Sequence, residues 1–153
     1  MKRSIYLLAI LLLYSCAATK NYTQDDILLS MKKSGCYGPC PVYKMKIYTN
    51  GFVTLIAEEH LDLQVEYYAK LPGSTVKALV SKFNEAGFFE MEGQYTSIIK
   101  DLPTTWIYFS NEGRQKRIKD YDGAPESLKE LENELSLLLE SEDWKKKQVR
   151  FRK

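Results

Sequence analysis

Two thiols stand with three residues between them in Cys36-Tyr37-Gly38-Pro39-Cys40-Pro41, between two apolar segments. Such a pair can close a disulfide, exchange electrons as a dithiol, hold a soft metal ion, or stay as free thiols. A disulfide here would close a five-residue loop, worth about 2 kcal/mol by the chain-entropy relation. Gly38-Pro39 supplies the turn that so short a loop needs.

Little else in the chain could activate a thiol or replace it. Dithiol redox chemistry expects Cys-x-x-Cys at a helix N-terminus; this spacing is one residue longer and a strand-like segment follows. Thiolates suit copper(I) or zinc. Cys-x-x-x-Cys-Pro also resembles the motif of periplasmic copper chaperones, but those add a distant His on a thioredoxin fold. The single His, His60, follows Glu58-Glu59 in a hairpin-like position and reads as a solvated loop residue. No Gly-x-Ser-x-Gly elbow or phosphate-cradling Gly loop is present. The carboxylates Glu58, Glu59, Asp101, Asp120 and Asp122 read as solvated charges or turn caps, with Asp101 set before Leu102-Pro103 and Asp120 before Tyr121. No catalytic residue, metal site or cofactor is therefore assigned.

The amino terminus indicates where this chemistry would operate. Lys2 and Arg3 precede an apolar run, Ile5 to Tyr14, that is too short to span a bilayer, so residues 1–15 read as a secretion signal. Leu13-Tyr14-Ser15-Cys16 resembles the lipobox of bacterial lipoproteins, in which the cysteine is acylated and becomes the mature N-terminus. Cys16 is accordingly the expected lipidation site, residues 16–24 a tether, residues 25–143 the folded domain and residues 144–153 a basic tail. Gln24-Asp25-Asp26 resembles the acidic export signals of surface lipoproteins. The expected location is the cell envelope, lipid-anchored and at the outer membrane, facing either the periplasm or the exterior.

Charge follows the same division. The chain has 22 basic and 20 acidic residues; without Lys2 and Arg3 the count is 20 against 20. Six of the remaining basic residues lie in 145–153, which leaves 14 against 20 over residues 16–144. A mildly acidic body with a basic tail argues against nucleic acid as a partner. The tail, with Trp144, Val149 and Phe151 among its basic residues, reads as a solubilising end or as a contact for anionic headgroups or polymer.

The elements that would position the thiols are legible from periodicity. Ile27 to Met31 suits a first strand, and Tyr43, Met45 and Ile47 alternate with Lys44 and Lys46 as in a half-buried second strand. Asn50-Gly51 predicts a two-residue type I′ hairpin, placing Ile47 opposite Thr54 and Met45 opposite Ile56. In that register Tyr43, Met45, Ile47, Phe52 and Ile56 share the core face. Leu61, Leu63, Val65 and Tyr67 continue into a further strand ending near Leu71. Val76, Leu79, Val80 and Phe83 then fall at helical spacing between an N-cap at Ser74 and a stop at Gly87, with Phe88, Phe89 and Met91 plugging the core beneath. A second hairpin, Thr104 to Phe109 returning over 115–121, precedes a helix begun at Pro125-Glu126 with the stripe Leu128, Leu131, Leu135 and Leu138. The fold class is α+β: one domain, an antiparallel sheet of five to six strands with two helices packed on it, in the order β-β-β-β-α-β-β-α.

Cys36-Tyr37-Gly38-Pro39-Cys40-Pro41-Val42-Tyr43, Asn50-Gly51, Tyr95, Asp101-Leu102-Pro103-Thr104, Asp120-Tyr121 and Gly123-Ala124-Pro125 together resemble the family called domain of unknown function 6438. The resemblance spans roughly residues 25–140, and the cysteine motif is its most specific part. It implies a secreted or lipid-anchored protein of Bacteroidetes-type bacteria and a single folded unit, and it carries no activity. The exposed-looking aromatic on a rigid, stapled loop gives the expectation of a non-enzymatic binding module that meets an envelope protein or glycan through Tyr37, Gly38 and Pro39. Tyr43, Tyr95 and Asp101 are further candidate contacts, and Cys36 and Cys40 form a disulfide staple. The alternative is a thiol redox or metal-handling protein using the same two cysteines.

Overall fold

The computed structural model describes residues 22–61, 65–141 and 143–146. The leader, Cys16, most of the tether, part of the Leu61–Val65 stretch and the last seven residues lie outside that range. Six strands form the body of the sheet, with apolar and polar residues alternating most plainly in the second: β1 Ile27–Lys33, β2 Val42–Tyr48, β3 Phe52–Glu59, β4 Val65–Lys70, β6 Thr105–Asn111 and β7 Arg114–Asp120. Two pairs of residues, β5 Gln94–Tyr95 and β8 Lys145–Lys146, add short strands, giving one sheet in the order β5-β7-β6-β1-β2-β3-β4-β8. All neighbours are antiparallel except β5 and β7. The α+β class and the two helices agree with the sequence, but the sheet has eight strands where five to six were expected, with one extra strand after α1 Gly73–Glu85 and one after α2 Glu126–Ser141. The two extra strands are too short to show any period, and both cap sheet edges that would otherwise expose unpaired backbone.

The helices α1 Gly73–Glu85 and α2 Glu126–Ser141 cover one face of the sheet. From α1 come Val76, Leu79 and Phe83, and from α2 the predicted stripe Leu128, Leu131, Leu135 and Leu138, all buried. They meet Met31, Met45, Ile47, Leu55, Ile107 and Phe109 from the central strands. Phe88 fills the space below α1, its ring 5.2 Å from Phe83 and 5.9 Å from Phe109. Ser74 does not cap α1: the helix starts two residues earlier, at Gly73, with Pro72 in the cap position and its carbonyl taking the Val76 N–H.

The first hairpin departs from the predicted register. Ile47 pairs with Val53, Met45 with Leu55 and Tyr43 with Ala57, so Phe52 and Ile56 face away from the helices. A one-residue slip moves every side chain of a strand to the other face. The cause is the turn. Gly51 has φ 81 and its N–H donates to the Tyr48 carbonyl, whereas Asn50 does not adopt the positive φ that a type I′ turn requires. The loop is therefore three residues long, Thr49 to Gly51. A Cβ on Gly51 would lie 2.7 Å from the Leu71 carbonyl oxygen, so the end of β4 packs directly on this glycine. The two-residue turn with both residues at positive φ occurs in the second hairpin instead, at Glu112-Gly113 between Asn111 and Arg114.

On the uncovered face Ile27, Tyr48 and Tyr108 form a smaller cluster with Phe52 and Tyr22. Tyr22 stacks on Phe52 at 4.9 Å, and its hydroxyl accepts from Asn50 Nδ2 at 3.0 Å. Gln24–Asp26 forms a single 3-10 turn in which Asp26 accepts from the Thr23 backbone N–H and hydroxyl. The end of the expected tether is thus part of the fold.

Candidate functional site

The cysteine corner is the loop between β1 and β2, and its shape follows from two tight backbone bonds. Gly38 N–H donates to the Cys36 carbonyl and Cys40 N–H to the Gly38 carbonyl, each at 2.9 Å. These successive three-residue turns fold the chain back on itself. Gly38 has φ 152, a conformation that L side chains rarely adopt. Cys36 and Cys40 are joined by a disulfide with a Cα separation of 5.7 Å.

A second loop, residues 96–104, is fastened to the corner. Tyr37 N–H donates to the Asp101 carbonyl at 3.3 Å, Ser34 N–H to the Thr104 carbonyl at 2.9 Å, and Thr104 N–H to Ser34 Oγ at 2.9 Å. From the far side, the Tyr121 hydroxyl donates to the Ile99 carbonyl at 2.8 Å and accepts from the Leu102 N–H at 3.4 Å. Tyr121 N–H in turn donates to the Tyr95 carbonyl, and the Tyr95 hydroxyl accepts from Glu92 N–H. The residues spread between 36 and 121 thus converge on one end of the sheet. Asn50-Gly51 lies at the opposite end of the sheet, where it meets Tyr22 and Leu71.

This scaffold holds apolar side chains in solvent. Tyr37 is 93% exposed, Ile98 98% and Ile99 53%. Gly38 and Pro39 are exposed beside Tyr37, and Asp101 is exposed at φ 66. Two of the sequence candidates are placed differently. Tyr95 is half-buried, its backbone and hydroxyl occupied in the scaffold. Tyr43 is buried; its hydroxyl lies 3.4 Å from Ser136 Oγ, and burial raises its phenol above the usual value despite that contact. Ile98 and Ile99 escaped the sequence reading because apolar side chains are expected inside; only their position between two turn-rich segments hinted otherwise.

Behind the corner, Lys33, Pro41, Tyr43, His60, Ser136 and Trp144 line a cleft of about 540 Å³. His60 is exposed at its mouth, at φ 53. The Trp144 indole N–H donates to the Leu139 carbonyl at 3.1 Å, so the first residue assigned to the tail belongs to the packed domain. At the end of β7, Asp120 is buried, not a solvated turn cap: it is 3% exposed and ion-paired with Lys129 of α2. Glu132, 7% exposed, lies 3.9 Å from the same lysine. Asp120 Oδ1 and Glu132 Oε1 are buried without a donor. A proton on Glu132 supplies one, and burial, followed by the neighbouring Asp120, raises the Glu132 carboxyl to about 7 against the pull of Lys129.

Among the described residues no three His, Cys, Asp or Glu side chains gather in a way that would hold a metal ion, and no helix is long and apolar enough to cross a membrane. No curated protein matches the chain. The match to a family runs over residues 27–139, from β1 nearly to the end of α2 and across both loops of the corner, and the chain belongs to the family described as Domain of unknown function (DUF6438).

Proposed function

We propose that this protein is a non-enzymatic lipoprotein of the cell envelope, anchored through Cys16, whose domain binds an envelope protein or glycan through the stapled corner. The observation that carries this reading is the exposure of Tyr37 and Ile98, 93% and 98%, on two loops whose backbones are tied together. Covering apolar side chains that stand in water favours association, and a braced loop loses little entropy when it binds. Tyr37 adds a hydroxyl that suits polar partners, glycans included. Replacing Tyr37 with Ala and Ile98 with Ser tests the reading. Partner retention by the doubly substituted chain should fall at least tenfold with its thermal unfolding unchanged; equal retention would remove the corner as the binding site.

The alternative, thiol redox or metal handling by Cys36 and Cys40, predicts a pair that opens under mild reductant. Mass analysis across a series of redox buffers separates the two, because a structural disulfide stays closed down to about −300 mV.

A further inference from the structure

The face of the sheet that the helices leave uncovered is basic and aromatic. One cross-strand row runs Arg117, Tyr108, Ser30, Lys46, Thr54 and Tyr68; the next runs Lys119, Trp106, Lys32, Lys44, Ile56 and Glu66. Five of these twelve side chains are cationic and one is anionic, although residues 16–144 as a whole carry more acid than base. Part of the acid is on the helix layer, where Glu126, Glu130, Glu134 and Glu140 stand along α2. Lys44 is paired with Glu58, and the Lys32 ammonium sits 4.7 Å over the Trp106 ring. No ion pair forms at Lys46, Arg117 or Lys119 among the described residues. Ile56 and Tyr68 are exposed on the same face, and Trp106 is half-buried.

Both ends of the described chain meet this face. Tyr22 lies against Tyr48 and Phe52, so the segment leading back to Cys16 departs from there, six residues away. At about 3.4 Å per residue that segment reaches at most about 20 Å. At the other end Lys145 pairs beside Tyr68 on the β4 edge, and Lys147, Arg150, Arg152 and Lys153 follow in sequence.

We infer that the uncovered face of the sheet docks on an anionic membrane surface, its lysines and arginine on lipid phosphates and its aromatic side chains at headgroup level. Tyr and Trp favour the boundary between water and hydrocarbon, and basic side chains near an anionic leaflet are attracted to it. The short reach from Cys16 keeps the face beside the bilayer. That orientation rests on the lipid anchor proposed above; the affinity of the face for anionic lipid does not. The corner, at the opposite end of β1 from Tyr22, stays free for its own partner.

The test uses the processed chain with Trp144→Phe, which leaves Trp106 as the sole tryptophan. It is added to vesicles of phosphatidylcholine alone or with phosphatidylglycerol, each containing lipids brominated near the headgroup. Trp106 emission should be quenched on the anionic vesicles only, and 0.5 M salt should reverse this. Each cation near an anionic surface strengthens docking about fivefold, so Lys46→Glu, Arg117→Glu and Lys119→Glu together should weaken it by about a hundredfold or more and abolish quenching. The salt reversal reads the same contact without altering the fold. Equal emission on both vesicle types would overturn the inference, as would loss of quenching on adding a stoichiometric soluble acidic polysaccharide or single-stranded nucleic acid. The mass of the same preparation reports acylation of Cys16 separately. An unacylated chain that is still quenched on anionic vesicles would end the anchor reading and uphold the face.

Discussion

Asp120 at the end of β7 and Glu132 on α2 share one lysine, Lys129, both carboxylates buried while the lysine side chain stays partly open to water. Two carboxylates stand against this one close cation, and burial raises the Glu132 carboxyl to about 7, which favours a proton there. The charged groups around that proton come from three further positions: Lys129 on α2, Lys33 on β1 and Asp120 on β7.

The consequence for stability has a definite sign. Glu132 titrates at about 7 in the folded chain against 4.5 as its ordinary value. The folded state therefore binds a proton more tightly than the unfolded one. Its contribution, on the order of 3 kcal/mol, is full below about 4.5 and is lost as pH rises through 7. The urea midpoint should fall between pH 5.5 and 8, and Glu132→Gln should flatten that slope. A wild-type midpoint that rises over the same range would show that Glu132 is ionised in the fold.

Gly51 should not tolerate a side chain. Its φ of 81 and the 2.7 Å approach of the Leu71 carbonyl mean that Gly51→Ala strains both the turn and the end of β4. A loss of about 2 kcal/mol in urea unfolding is expected. The same substitution at Gly73, where a Cβ meets nothing within 4 Å, serves as the control and should be neutral or stabilising.

The disulfide contributes to stability through the unfolded chain. Replacing Cys36 and Cys40 together with Ser should lower the free energy of unfolding by about 2 kcal/mol. The fold should persist, because Ser34 and Thr104 brace the corner independently. A far larger loss, or none, in denaturant titration would show that the bond does more or less than close its loop.

What could be read from the residues divides along a physical line. The stripe Leu128, Leu131, Leu135 and Leu138 was legible because helical burial repeats every three to four residues whatever lies opposite. The first hairpin was misread by one residue because its turn type is settled at Asn50, where the close packing of Gly51 on Leu71 adds a constraint from twenty residues away. β5 and β8 owe their existence to the strands they pair with, not to their own sequence. The burial of Asp120 and Glu132 depends on two elements meeting, which no local pattern encodes. Net charge likewise averaged over two faces of opposite sign. Of the corner, the staple and the exposure of Tyr37 were legible; the partnership of its loop with Ile98 and Ile99 was not.

The corner as a binding site is tested most directly by a photo-crosslinking residue placed at Tyr37 in the full chain and activated in intact cells, with the same residue at Lys77 on α1 for comparison. The account predicts one defined adduct, protein or glycan by mass, from position 37 only, and its loss when Ile98→Ser is added. No adduct from position 37, or the same adducts from both positions, would contradict it.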